Sequence, residues 1–245
     1  MTSLATILQT GRVWRGPSAS AGGAAGIASG FAALDAELPG GGWPSAALTE
    51  ILPAHEGIGE LRILGPALAH LSAAGRTIAW IAPPYLPYAP ALATAGINLS
   101  RIVIVRTANG RDALWAAEQA LRSNACGAVL CWPDRPRFAE LRRLQVAAEG
   151  GTAASFIFRK SAAAHESSPA PLRMSLQTAA GGLSVDVFKR RGGPLRRPVL
   201  IPALTTPFSS THAQQRAQEN ANRAHALDRL SPAAAVAGTV RLTHA

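Results

Sequence analysis

The chain has 245 residues, 48% of them apolar and 16% charged, which allows one sizeable hydrophobic core with tails and excludes a wholly disordered chain. Lys and Arg number 24 against 14 Asp and Glu, and the resulting charge of +10 favours a polyanion or an acidic partner. Two cysteines give no disulfide framework, six histidines show no metal-ligand spacing, and no run of 18 apolar residues could span a membrane, so a cytoplasmic protein without metal or cofactor is expected.

Taken in chain order, residues 1–9 place Leu4, Ile7 and Leu8 on one side of a short helix. Residues 18–30 are dominated by Ala, Gly and Ser and read as a linker, so residues 1–30 are expected to be a helix and linker ahead of the fold. No charged segment followed by an apolar run opens the chain, and no secretion leader is expected. A helix is predicted over residues 31–38, stopped by Pro39 and three glycines, and a buried strand over 47–52. Leu61, Leu64, Leu68 and Leu71 form one stripe of a helix over 60–73, which Gly75 ends.

Strands follow at 77–82, 102–106, 128–132 and 155–159, with helices at 89–95, 111–123 and 136–149 between them. This alternation predicts an α/β domain: a mostly parallel sheet with helices on both faces. Residues 161–171 read as a polar connector. Two runs, 172–178 and 183–189, flank Ala179-Ala180-Gly181-Gly182 and predict an antiparallel hairpin at the sheet edge. The domain is expected to cover residues 31–204. Residues 205–245 are expected to be a polar tail, part-helical over 212–230.

The most specific segment is residues 29–51, SGFAALDAELPGGGWPSAALTEI. It resembles the segment that leads into the first strand of a RecA-like core. In RecA-like ATPases a phosphate loop of the form G-x-x-x-x-G-K-[ST] comes next, whose N–H groups and Lys hold phosphates. Here Pro53, His55, Glu56, Gly57, Gly59 and Glu60 stand in its place, with no Gly-Lys-Ser/Thr, so the segment reads as a degenerate phosphate loop. A carboxylate at that site repels phosphate by an amount on the order of 1–4 kcal/mol. Pro83-Pro84-Tyr85 follows the second strand and Cys131-Trp132 ends the fourth, where that resemblance implies carboxylates. No catalytic residue is therefore assigned.

A RecA-like core without these groups, with Val13-Trp14-Arg15-Gly16 ahead of it and a basic C-terminal hairpin, resembles the ImuA family of the RecA/SulA-like superfamily. That resemblance implies a non-catalytic adaptor in SOS-induced mutagenic translesion synthesis. Its implied partners are ImuB and an error-prone polymerase, with RecA and weak, non-specific DNA contact as further ones. The alternatives are a SulA-like division inhibitor that binds FtsZ, and a modulator of RecA filaments. A weak hydrolase working through Glu56 or Asp134 is a third.

The residues expected to touch DNA or a partner are Arg159, Lys160, Lys189, Arg190, Arg191, Arg196 and Arg197. The competing account of the last five is a charged edge that blocks strand addition. The loop 83–90, with Tyr85 and Tyr88 between prolines, suits either partner docking or closure over a cleft.

Overall fold

The structure, a computed structural model, describes residues 26–203. The chain divides into two units, Met1–Ala203 and Leu204–Ala245. The helices expected over residues 1–9 and 212–230, and the segment Val13 to Gly16, lie outside the described residues.

The fold is mixed α/β. Its strands are β1 (Ala47–Pro53), β2 (Thr77–Ile81), β3 (Ile102–Val105), β4 (Cys126–Cys131), β5 (Ala154–Phe158), β6 (Leu172–Ala179), β7 (Gly182–Lys189) and β8 (Val199–Pro202). They form one sheet in the order β3-β2-β4-β5-β1-β6-β7-β8. Strands β1 to β6 run parallel, and β7 and β8 are antiparallel to their neighbours.

The helices are α1 (Ala32–Asp35), α2 (Gly65–Ala73), α3 (Ala89–Thr94), α4 (Gly110–Arg122) and α5 (Phe138–Glu149). Parallel strands need helical crossovers, and these cover both faces of the sheet. On one face, Leu34 and Leu68 pack with Trp43, Ile78, Trp80 and Phe156. On the other, Leu114, Leu121, Leu141 and Leu144 pack with Leu48, Ile81, Val129 and Ile157. Strand β2 shows the pleat at work: Ile78 and Trp80 enter the first cluster, Ala79 and Ile81 the second. Each fully buried Leu or Ile is worth about 1.5–3 kcal/mol, so the two faces supply most of the drive to fold. Trp43 meets Phe156 edge to face, 5.3 Å between centroids.

Three local outcomes differ from the sequence reading. The helix expected over 60–73 is divided: a 3-10 turn, Glu60–Ile63, precedes α2, because Pro66 suits a helical first turn and cannot lie inside one. Residues 26–30 are packed into the domain. Ile27 bridges Trp43 through two backbone hydrogen bonds of 2.8 and 2.7 Å, and the N–H of the buried Ser29 donates to Asp35 Oδ1 at 2.8 Å. Gly42 permits this approach, since a Cβ there would lie 2.4 Å from the Ile27 carbonyl oxygen. Finally, β8 was not expected; it adds to β7 where Gly182 leaves room, a Cβ at that position falling 2.0 Å from the Ile201 carbonyl oxygen.

Candidate partner-binding surface

In a parallel sheet the segments leaving the carboxyl ends of the strands are free to carry function. After β1, the chain turns through Gly57 and Gly59, both at positive φ, into the 3-10 turn that begins with Glu60. The Gly57 N–H points at Glu60 Oε1, 3.4 Å away, and Glu60 Oε2 is buried without a partner. The Gly57 N–H thus faces a carboxylate of its own loop. Glu56 Oε2 accepts a 2.9 Å hydrogen bond from the Tyr85 hydroxyl, joining this loop to the one after β2. That hydrogen bond, then the Glu56 charge, raise the Tyr85 phenol above its ordinary pKa. His55 is exposed.

The loop after β2 holds Tyr85 and Leu86 at 69% and 68% exposure. The loop after β4 packs against the start of α4, where a Cβ on Gly110 would lie 3.3 Å from the Asp134 carbonyl oxygen. Asp134 is exposed and Trp132 stacks on Phe158, 4.4 Å between ring centroids. Phe138, the first residue of α5, is half-exposed and Trp115 on α4 is 61% exposed. Because β3, β2 and β4 are neighbours, the segments leaving them line one rim of the sheet, and Tyr85, Leu86 and Phe138 sit on it.

The structure separates the basic residues singled out from the sequence. Arg159 is buried on β5's end, 3.5 Å from Glu50 Oε1 and 2.5 Å from Glu166 Oε2. Arg173 Nε donates to Glu50 Oε2 at 2.7 Å and its guanidinium lies 5.0 Å from the Phe188 ring. Lys189 Nζ donates to the Ser168 carbonyl at 2.7 Å. Burial and then the Arg173 charge lower the Lys189 pKa, against the pull of Glu50. The connector expected over 161–171 is thus pinned by ions, beginning as the 3-10 turn Ser161–His165. Lys160, by contrast, is exposed.

Arg190 donates to the Glu37 carbonyl and, at 3.0 Å, to Glu37 Oε2. It lines an open basin of about 590 Å³ together with Glu37, Leu195, Arg196 and Arg197. Arg191, Arg196 and Arg197 are exposed there or beside it. The carboxylate that the sequence reading missed, Glu50, is fully buried and organises Arg159, Arg173 and Ser168. Its signal was a charge within the apolar run of β1 flanked by Thr49 and Ile51.

Residues 48–155 match the family described as "Cell division inhibitor SulA". A cell division inhibitor SulA from Edwardsiella piscicida is 34% identical over 89 residues, 36% of this chain and 53% of that protein. The chain therefore spans about half the length of the curated relative it matches. The crystal structure of SulA from Pseudomonas aeruginosa is 31% identical, covers 48% of this chain and 99% of that one, and superposes with a TM-score of 0.40.

These matches overturn the ImuA resemblance, and with it translesion synthesis and the expected partners ImuB, error-prone polymerase, RecA and DNA. That resemblance rested on residues 29–51, on the groups missing at 53–60, 83–85 and 131–132, on residues 13–16 and on the basic hairpin; the segment from 48 to 155 belongs instead to the span that matches the division-inhibitor family. The description of residues 53–60 as a degenerate phosphate loop falls with it. The matched span runs from β1 to the start of β5, and the basin around Arg196 lies outside it. Nine of the ten large apolar residues exposed among the described residues fall inside the span. From β1 to the start of β5, then, the chain is similar to SulA, and that span includes the loop carrying Tyr85 and Leu86.

Proposed function

We propose that this protein is a SulA-like inhibitor of cell division that acts by binding and without catalysis. The observation that carries the reading is the match of residues 48–155, the whole run from β1 to the start of β5, to the division-inhibitor family. The resemblance to SulA implies FtsZ as the target and the cytoplasm as the place of action. We read the sheet, parallel through β6 with an antiparallel addition, as a RecA-like core that serves as a rigid frame for surface loops.

The docking surface we assign is the rim after β2, β3 and β4. Tyr85 and Leu86 are exposed there on a segment bracketed by Pro83, Pro84 and Pro87, so little entropy is lost when they are covered. Aromatic and large apolar side chains are the usual anchors of an interface. Among the described residues no helix is long and apolar enough to cross a membrane.

The test is retention of purified FtsZ from the same genome by the immobilised full chain. Retention that is lost with Tyr85→Ala and Leu86→Ala together supports the reading. Failure to retain FtsZ under any nucleotide condition would refute it.

A further inference from the structure

Strand β3 is the open edge of the sheet, since β2 is its one neighbour among the described residues. The Ala82 N–H donates to the Val105 carbonyl at 2.8 Å, so Val105 turns its polar groups toward β2. Alternation along a strand then points the N–H and C=O groups of Ile102 and Ile104 away from the sheet. Val103 and Ile104 are 49% and 38% exposed, on opposite faces of the strand. Arg101 and Arg106 bracket the four apolar residues, and both are exposed. An apolar β-branched edge with free backbone groups is a template for strand addition.

The flanking charges select the occupant. Two copies of the strand pairing antiparallel would bring Arg106 of each within one residue of Arg101 of the other, at both ends of a short ladder. Like charges that close weaken cross-strand pairing. An extended segment with apolar residues at its centre and carboxylates at its ends meets the same edge with attraction at both ends. The excess of 24 basic over 14 acidic residues adds long-range attraction of the same sign.

We propose that β3 takes up an extended, acid-flanked segment of a partner protein as a ninth strand, through the outward backbone groups of Ile102 and Ile104 and the side chains of Arg101 and Arg106. This goes beyond the division-inhibitor reading by naming what a target must present, and it rests on that reading only for the target's identity.

The probe is a seven-residue peptide with Val-Thr-Val at its centre and two glutamates at each end, added to isotope-labelled full chain. At about 1 mM peptide, the weak end of specific binding, the amide signals of Ile102 and Ile104 are expected to shift. Lysines in place of the glutamates should abolish the shift, and Arg101→Glu with Arg106→Glu should reverse the preference. The variant Ile104→Pro removes the outward N–H without touching the ladder to β2, and should weaken the glutamate peptide at least about tenfold. Unmoved β3 amides, equal response to both peptides, or self-association that Ile104→Pro abolishes would overturn the proposal. FtsZ retention is scored separately with the same variants. FtsZ bound equally by wild type and Ile104→Pro, with β3 silent to peptide, sinks this inference and leaves the division-inhibitor reading standing. A peptide response without FtsZ retention does the reverse.

Discussion

Arg173 on β6 stands in register with Glu50 on β1 and donates its Nε–H to the carboxylate at 2.7 Å, inside the sheet. Arg159 and Ser168 complete the shell around the same carboxylate. Buried charges persist when each is paired and hydrogen-bonded, and removal of one partner leaves the others stranded. Glu50→Ala should therefore cost about 3–5 kcal/mol in denaturant unfolding. Glu50→Gln, which keeps the shape and an acceptor, should cost less. A loss within about 0.5 kcal/mol for Glu50→Ala, the ordinary range of surface changes, would show that the network is not structural.

Cys131 is fully buried at the end of β4, and burial pushes its thiol up to about 12. Burial also raises Cys126, with Arg76 pulling the other way. Neither thiol should react with a disulfide reagent in the native protein at neutral pH, and both should react after denaturation. A raised thiol holds its proton in the fold after the unfolded chain has lost it. Its contribution is thus complete below the unfolded value near 9 and declines as pH rises toward about 12. Cys131→Ala should flatten that alkaline decline in a series of unfolding curves; an unchanged slope contradicts the assignment.

Removal of Tyr85 and Leu86 side chains should weaken FtsZ binding by at least about 30-fold, as truncation of buried interface anchors does at about 2 kcal/mol. Because both are exposed in the free protein, the unfolding midpoint should stay where it is. A fall in stability that matches the fall in binding would mean that the loop acts through the fold instead.

The basin lined by Arg190, Arg196 and Arg197 lies outside the span that matches the division-inhibitor family. Arg196→Glu with Arg197→Glu should leave FtsZ binding within about twofold of wild type in titrations at low salt, where exposed charges act most strongly. A larger drop would move the docking surface to the C-terminal hairpin.

Much of the parallel core could be read from periodicity because its strands are apolar on both faces and are bounded by Gly and Pro. Strand β8 is preceded by Pro198 and ends in Pro202, and an edge strand tolerates proline where no ladder donor is needed. Gly127 hid the start of β4, where a glycine is required because a Cβ would fall 2.6 Å from Arg76 Cβ. Residues 26–30 looked like linker by composition, yet Gly26 and Gly42 are what allow the two backbones to meet. At the candidate site, Arg159 was grouped with the surface cations because sequence spacing does not show that Glu50 waits on the neighbouring strand. The exposed Tyr85 loop was noticed, but its rank above the basic hairpin came from which residues match the division-inhibitor family.

Inhibition of division by binding FtsZ is tested by the assembly of purified FtsZ with GTP, followed by light scattering, as equimolar full chain is added. Assembly should be suppressed, and Tyr85→Ala with Leu86→Ala should restore it. Assembly that proceeds unchanged in the presence of folded, wild-type protein would contradict inhibition by binding FtsZ.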